Sequence, residues 1–154
     1  PWTCGGSNCV IRSLLKFDLS GIPANAIITS AKLSLYATPT TPLNGNLTNP
    51  MFGTNASYLQ RITASWSPAT VTWNNQPATT TVNQVTLPTS TSSNQNYIDI
   101  DVKNLVTDML VNGNNGFLLR AVDETPFRSM IFASSNHPTA SAHPKLEICY
   151  TVPS

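Results

Sequence analysis

The segment Arg12-Ser-Leu-Leu-Lys-Phe-Asp-Leu-Ser20 decides the fold of this chain. Its apolar residues Leu15, Phe17 and Leu19 recur at every second position, which is the period of a β-strand with one buried face. Only eleven residues precede it, too few for a full strand of their own. We therefore divide the chain into an arm, residues 1–11, and a single β-sandwich domain, residues 12–154, that begins abruptly and lacks an edge strand.

Further strand patterns, bounded by proline, glycine and asparagine, follow along the chain. They lie at residues 31–37, 58–64, 71–73, 84–87, 97–101, 116–122, 130–133 and 146–152. Residues 102–112 instead repeat apolar side chains with a helical period, with Asp101 placed to cap the helix and Gly113 to end it. The pattern predicts an all-β fold, a jelly-roll-type β-sandwich with one short helix at about residues 102–112.

Composition excludes several partners. Charged residues make up 10% of the 154 residues and the net charge is +1, against roughly 25% charged in an ordinary soluble domain. The cations are scattered singly, so no basic stripe exists to follow a phosphate backbone, and we expect no nucleic acid partner. No apolar run approaches the roughly 18 residues that a membrane span requires. Polar surfaces rich in Thr, Ser and Asn suit an extracellular or cell-surface module.

The cysteines favour an oxidising compartment. Cys4 and Cys9 flank Gly-Gly-Ser-Asn, a loop flexible enough for a disulfide. Two reduced thiols are the alternative; zinc is disfavoured because no second cysteine pair accompanies them. Cys149 falls on the face of its strand opposite to the apolar residues, where another cysteine could reach it, although a lone buried thiol is the favoured interpretation.

Few residues carry chemistry. His137 and His143 lack a third ligand, so we expect solvated histidines, no metal and no cofactor. Asp99 and Asp101 share a strand face, but Asp101 already caps the helix, and a glycosidase pair is improbable. A third group, Asp123-Glu124 beside Arg120 and Arg128, suggests either a calcium or acidic-sugar site or ordinary paired charges, and the latter is favoured. No serine has a nucleophile setting, so we predict that the chain is not an enzyme.

Aromatic and basic side chains are the candidates for sugar binding, because sugar rings stack their apolar faces on flat side chains. Trp66 and Trp73 are flanked by turn residues, and packing at the sandwich end is the favoured role for both. We expect Arg12, Lys16 and Lys32 to line the outward faces of adjacent strands, where they would contact uronic acids. The candidate sugar contacts are therefore Trp2, Tyr36, Tyr58, Arg12, Lys16 and Lys32.

Two glycosylation sequons lie in the long loop of residues 38–56. They begin at Asn46 and Asn55, and Thr/Ser-rich runs at residues 38–41, 79–81 and 88–93 are candidates for O-linked sugars. Sequons also arise by chance in so polar a chain. Glycosylation at these positions would be consistent with a surface-exposed protein.

Five sequence blocks, in order, carry a family resemblance. They are residues 12–20, residues 28–36, the block Trp66-Ser-Pro-Ala-Thr-Val-Thr-Trp-Asn-Asn-Gln-Pro77, residues 115–120 and residues 144–148. The chain resembles the DNRLRE, or disaggregatase-related, domain family. This resemblance implies a jelly-roll module of secreted or surface proteins, without catalytic residues, some members binding acidic polysaccharide such as alginate. Family members usually begin with an extra strand, which this chain lacks.

Two functions follow from these features. The first is a non-catalytic structural subunit of a surface fibre or adhesin-like assembly, in which a strand of one copy, best the arm of residues 1–10, fills the missing edge of the next. The second is a carbohydrate-binding module for acidic polysaccharide. The missing edge places the fibre subunit slightly ahead, and whether that edge is donated by a neighbour or lost by truncation stays open.

Overall fold

A computed structural model of the chain describes residues 1–4, 9–38 and 53–154. Within these ranges all strand pairs are antiparallel. The elements are β1 (Trp2–Thr3), β2 (Val10–Ile11), β3 (Ser13–Leu15), β4 (Ile27–Leu35), β5 (Ser57–Ile62), β6 (Thr79–Leu87), β7 (Tyr97–Asp101), helix α1 (Lys103–Asn112), β8 (Phe117–Ala121), β9 (Arg128–Ser129), a 3-10 turn (Ala140–Ala142) and β10 (Lys145–Thr151). The predicted all-β sandwich with one short helix is confirmed.

Two sheets enclose the main core. One has the strand order β3-β8-β5-β6 and the other β10-β4-β7, while β2-β1-β9 form a third, small sheet. Leu33 and Leu35 from one sheet and Leu59, Phe117 and Leu119 from the other share one buried cluster. Fully burying a side chain of this size contributes about 1.5–3 kcal/mol, so the facing of these two sheets is the main stabilising feature.

Helix α1 packs against this core through Leu105, Val106 and Met109. The Asp101 carboxylate accepts a hydrogen bond from the Lys103 backbone N–H at 3.0 Å, which satisfies one of the free donors at the helix start. At the other end Gly113, with φ of +99°, donates its N–H to the Met109 carbonyl. The predicted helix and both of its end signals are confirmed, with the first helical residue one position later than expected.

The N-terminal arm is part of its own subunit. The predicted Cys4–Cys9 disulfide is present and joins β1 to β2, and β1 also pairs with β9. Thr3 is buried, and its hydroxyl accepts a hydrogen bond from the Arg128 backbone N–H at 2.7 Å. The expectation that this arm completes a neighbouring copy therefore finds no support, because Trp2, Thr3, Val10 and Ile11 already pair within the chain.

Several predicted strand positions need correction. Residues 71–73 form no strand, because Asn75 accepts from the Thr72 backbone N–H and donates to the Thr70 carbonyl, which holds a turn. The predicted strand at 84–87 is the second half of the longer β6, whose first half is the threonine run 79–81. The predicted strand at 130–133 reduces to one bridge, between Phe132 and Ala37.

The position of Cys149 also differs from the predicted one, a lone buried thiol. It lies on β10, opposite Ser30 of β4, and its side chain is exposed. The buried-thiol interpretation is wrong because the outward face of β10 is open to solvent, where the alternation of the strand places this residue. Cys149 is a free thiol, since Cys4 and Cys9 are bonded to each other.

Gly116, the residue before β8, provides a test of how closely the start of β8 approaches β3. It has φ of +83°, and a Cβ atom at this position would lie 2.1 Å from the Leu15 carbonyl oxygen. We expect Gly116→Ala to lower the free energy of unfolding by at least about 2 kcal/mol, because backbone strain and a collision with β3 add together. The measurement is denaturant unfolding followed by circular dichroism.

Gly113→Ala is the matched control. Gly113 also has positive φ, but nothing lies within 4 Å of the added Cβ atom, so only the backbone cost of about 1–3 kcal/mol is expected, without the added collision of Gly116→Ala. Equal losses in the two variants would contradict the close approach of residue 116 to β3.

Candidate functional site

The loop of residues 63–78, between β5 and β6, builds one side of the candidate site. Its two ends are joined where the Thr63 backbone N–H donates to the Ala78 carbonyl at 2.8 Å. The Trp66 indole N–H donates to the Asn115 carbonyl at 2.8 Å, which ties the loop to the start of β8. Gln76 donates to the Trp73 carbonyl at 3.0 Å. Hydrogen bonds within the loop and to β8 therefore fix the position of Trp73.

The outer face of the four-stranded sheet is partly buried. Leu118 alternates along β8 with the core residues Phe117 and Leu119, so its side chain points away from the main core. Leu118 is nevertheless buried, and so is Gln60, its neighbour on β5. The outer face is therefore shielded from solvent in its middle.

Arg12, just before β3, connects the loop to the sheet. Its Nε and Nη2 atoms donate to the two carboxylate oxygens of Glu124, each at 2.8 Å, and its Nη1 donates to Gln76 Oε1 at 2.8 Å. The guanidinium carbon also lies 4.7 Å from the centre of the Trp73 ring system. Bidentate pairing and cation–π stacking both restrict orientation, so Arg12 holds a defined position beneath the indole.

Glu124 joins a second arginine to this network. Arg120, on β8, donates from Nη2 to Glu124 Oε2 at 3.1 Å, and Tyr58 of β5 lies directly opposite Arg120. The hydrogen bond from Arg12, together with the positive charge of Arg12 and Arg120, lowers the pKa of Glu124, while partial burial opposes that shift. Glu124 is therefore ionised at neutral pH and carries the negative charge between two guanidinium groups.

Trp73 offers a flat surface to solvent. Its residue is 51% exposed although Arg12 covers one face of the indole. The accessible area therefore includes the opposite face, which is available to stack against a ring-shaped ligand. We name the surface formed by Trp73, Gln76, Arg12, Arg120, Glu124 and Tyr58 the Trp73 face.

The structure brings together only two of the six predicted sugar contacts. Arg12 and Tyr58 belong to the Trp73 face, whereas Lys16 lies beyond β3 and points to a separate groove. Lys32 lies on β4 in the other sheet, where it pairs with Asp99 at 3.7 Å. The expectation that Arg12, Lys16 and Lys32 line adjacent strands is therefore wrong, because β4 does not neighbour β3 in either sheet.

The two remaining aromatic candidates are half-buried outside this face. Trp2 lies in β1, between Ile11 and Ser129 of the small sheet. Tyr36 follows β4, and its carbonyl accepts a hydrogen bond from the Ala133 N–H at 2.8 Å. Neither belongs to the network around Arg12.

Four members of the Trp73 face were missed from the sequence. The sequence pattern favours packing for Trp73 and ordinary paired charges for Glu124 and Arg120, and it gives Gln76 no individual role. The packing role holds for Trp66, which is half-buried and bonded to Asn115. One sequence feature could have distinguished the exposed Trp73 from the half-buried Trp66. Trp73 is followed by the polar residues Asn-Asn-Gln76, which offer no apolar side chain against which a buried indole could pack.

Other candidate groups are occupied in structural roles. His143 Nε2 lies 2.7 Å from the His137 carbonyl oxygen, and Asp123 pairs with Arg128 at 3.0 Å. Among the residues that the structure describes, no cluster of three or more His, Cys, Asp or Glu side chains could hold a metal ion. The same residues include no helix that is long and apolar enough to cross a membrane.

A groove of about 1240 Å³ opens beside β3. Its floor consists of apolar side chains that include Leu35, Leu119 and Phe132, and its rim includes Lys16 and His143. This opening lies between the β3 edge of one sheet and the residues that lead into β10 of the other. Trp66 and Pro68 of the loop described above and Ser13, next to Arg12, also line it, whereas Trp73 does not.

The sequons have different positions. Asn46 lies outside the described residues. Asn55 is buried, and its amide nitrogen donates to the Ser90 hydroxyl and the Ser129 carbonyl, each at 2.8 Å. A glycan on that nitrogen would break these bonds and displace the packing around them, so the fold argues against glycosylation at Asn55.

A fixed, half-exposed indole among hydrogen-bonding side chains is a surface on which a ring-shaped ligand can stack. The family model described as carbohydrate-binding module family 96 matches residues 4–150. The chain therefore belongs to carbohydrate-binding module family 96. This match corrects the DNRLRE resemblance, which named a different family. Among curated proteins, none matches the chain.

The Arg12–Glu124 pair predicts a pH dependence of stability. Because the pKa of Glu124 is lowered from its usual 4.5 in the folded state, the carboxylate stabilises the fold above that value. This contribution is lost as the pH falls through the folded-state pKa. We expect Glu124→Gln to lower the free energy of unfolding at pH 6, and the difference from the unmodified chain to shrink towards pH 3.

Glu147→Gln is the control, since Glu147 forms an exposed ion pair with Lys145 on β10. Its effect is expected to be small at both pH values because exposed pairs contribute little. A Glu124 effect that stays constant between pH 6 and pH 3, measured by denaturant unfolding, would contradict the role of the ionised carboxylate.

Proposed function

We propose that this chain is a non-catalytic module that binds polysaccharide through the Trp73 face. The observation that carries the proposal is the indole of Trp73, which is 51% exposed yet held from below by the Arg12 guanidinium. Family membership supports the ligand class, because the matching family is one of carbohydrate-binding modules.

A prearranged aromatic surface favours binding for an energetic reason. Ordering a mobile side chain on binding costs roughly 0.5–1.5 kcal/mol, which is subtracted from the affinity. Arg12, Glu124 and Gln76 already restrict the indole before a ligand arrives. The stacking energy between Trp73 and a sugar ring is therefore available for affinity.

Polar side chains around the indole supply hydrogen bonds for sugar hydroxyl groups. Gln60 is not one of them, because it is buried and its amide is already bonded to Gln84 and Thr79, each at 2.9 Å. Tyr58 and Arg120 continue the surface towards β8. An extended polysaccharide could follow this direction, contacting several strands in turn.

The setting that we propose is extracellular. The Cys4–Cys9 disulfide supports it, because disulfides persist in oxidising compartments. In such a setting a binding module keeps a larger protein or its complex close to a polysaccharide surface. Any reaction on the polysaccharide is then catalysed by another domain or another protein.

The fibre hypothesis finds no support. Within the arm proposed as the donor, Trp2 and Thr3 pair with β9 of the same chain, and the family match points to carbohydrate binding. The alternative that sequence reasoning ranked second is therefore the one we adopt.

Trp73→Ala tests the proposal directly. We expect at least about a tenfold loss of affinity, or ~1.4 kcal/mol, for whichever polysaccharide the unmodified chain retains, because the stacking surface is removed. Affinity gel electrophoresis with immobilised polysaccharides measures the change.

The matched control is Tyr150→Ala, which removes an aromatic residue of similar exposure from β10, in the other sheet. Its affinity should equal that of the unmodified chain. If Trp73→Ala binds as tightly as the control does, the Trp73 face is not the binding surface.

A further inference from the structure

We propose that Thr3 is a positioning residue of the Trp73 face, which it supports from strand β1 without contacting a ligand. This inference rests on the proposed function, because it concerns the support of the same face. Thr3 is only 2% exposed, so a polysaccharide cannot reach its side chain. Its effect on binding must therefore pass through the turn after β8, residues 122–127, which carries Glu124.

The pairing of β3 with β8 does not by itself fix the contact between Arg12 and Glu124. That pairing begins at Ser13, opposite Leu119, and β8 ends at Ala121. Glu124 lies three residues beyond that end. The place of its carboxylate therefore depends on what holds the turn after β8.

Thr3 holds the second half of this turn through its hydroxyl and its backbone. The hydroxyl donates to the Thr125 carbonyl at 2.6 Å and accepts from the Arg128 backbone N–H at 2.7 Å. The Thr3 carbonyl accepts from the Phe127 N–H at 3.0 Å. Because a hydroxyl is both a donor and an acceptor, one side chain serves two backbone groups of the turn.

The turn after β8 keeps its shape through a contact of its own. The Arg128 side chain donates to the Asp123 carboxylate at 3.0 Å, across the turn. Such a bond fixes the shape of the turn but not its location. The location depends on neighbouring segments: the Val122 N–H donates to the Ala56 carbonyl at 2.9 Å at one end, and Thr3 holds the other end.

Strand β1 also supports the segment that leads into Arg12. It pairs with β2, where Trp2 lies opposite Ile11, the residue before Arg12. On its other side it pairs with β9, which follows the turn after β8. A shift of β1 would therefore change the spacing between Arg12 and Glu124, and with it the support beneath the Trp73 indole.

The Cys4–Cys9 disulfide keeps β1 in this place. Strand β1 has only two residues, and short strand pairs are marginally stable in water without further support. The disulfide and a hydrogen bond from the Cys4 N–H to the Cys9 carbonyl at 3.1 Å close the end of the β1–β2 pair, which limits the freedom of the arm. We therefore expect the disulfide and the Thr3 hydroxyl to act on the Trp73 face in the same direction.

Thr3→Val and Thr3→Ser separate the hydroxyl from the packing of the strand. Valine resembles threonine in shape and favours strands, but it leaves the Thr125 carbonyl and the Arg128 N–H without this partner, whereas serine keeps both bonds. We expect about a fivefold loss of affinity in Thr3→Val and less than about a twofold loss in Thr3→Ser. Affinity electrophoresis is run with hydroxyethyl cellulose, xylan, polygalacturonate and alginate, after thermal unfolding has established that each variant is folded.

A second readout needs no ligand. The hydrogen bond from Arg12 is the largest cause of the lowered pKa of Glu124 in the folded chain, so a displaced turn should raise that pKa towards its usual 4.5. A nuclear magnetic resonance titration of the Glu124 carboxyl carbon measures it. We expect a rise in Thr3→Val and none in Thr3→Ser, a pattern that a loss of stability alone would not produce.

Thr29→Val is the control for the substitution itself. Thr29 lies on β4, in the other sheet, and its hydroxyl donates to the Cys149 carbonyl at 3.0 Å. The same chemical change there removes a hydrogen bond that has no connection with the turn after β8. Both the affinity and the pKa of Glu124 should match those of the unmodified chain.

The outcomes separate this inference from the proposed function. If Thr3→Val keeps the affinity of the unmodified chain, or leaves the pKa of Glu124 unchanged, Thr3 is not a positioning residue of the face. An equal loss of affinity in Thr3→Ser would also overturn the inference. If the unmodified chain binds none of these polysaccharides, the proposed function fails, whereas the pKa comparison still decides whether Thr3 positions Glu124.

Reduction of the unmodified chain tests the same support if Thr3→Val does not fold. Dithiothreitol can open the Cys4–Cys9 bond, whereas Cys149 is already a free thiol. We expect the reduced chain to bind more weakly and to show a raised pKa of Glu124. A reduced, folded chain that shows neither change would overturn the inference.

Discussion

The two-pronged contact between Arg12 and Glu124 is the interaction on which the Trp73 face depends. It joins the residue before β3 to the turn after β8, and a further hydrogen bond from Arg12 to Gln76 adds the loop between β5 and β6. Without it, the indole of Trp73 would lose the guanidinium that stacks beneath it. Because the contact is bidentate and partly shielded from solvent, it supplies orientation as well as energy.

The sandwich supplies the rigid support for this contact. Phe117 and Leu119 anchor β8 in the core, so that Arg120 on the same strand is held on the outer face. The close approach of Gly116 to Leu15 keeps β3, and hence Arg12, against β8. A binding surface of this kind gains affinity from rigidity, because little conformational freedom remains to be lost when a ligand binds.

Sequence reasoning predicted the features that arise from local periodicity. Alternating apolar residues located most strands, and the helical repeat at 102–112 with Asp101 and Gly113 located α1. It failed at residues 71–73, where side chain to backbone bonds of Asn75 outweigh the strand pattern. It also placed Lys32 beside Arg12, since a linear pattern does not reveal which sheet a strand joins.

Only two of the six residues of the Trp73 face were predicted as sugar contacts, for the same reason. Arg12 was expected on an outward strand face and Tyr58 as an aromatic contact, but Trp73, Gln76 and Glu124 lie in loops whose positions depend on tertiary contacts. Their roles depend on the short distances in space between the side chains of residues 12, 76 and 124. No period in the sequence encodes that distance.

Binding at the Trp73 face is tested most directly by a nuclear magnetic resonance titration that follows the indole N–H signals of Trp2, Trp66 and Trp73. The ligand is a soluble oligosaccharide made from a polysaccharide that the chain binds. If the Trp73 face is the binding surface, the Trp73 signal shifts with increasing ligand while those of Trp2 and Trp66 stay in place. A shift of Trp66 or Trp2 with no change at Trp73 would contradict it.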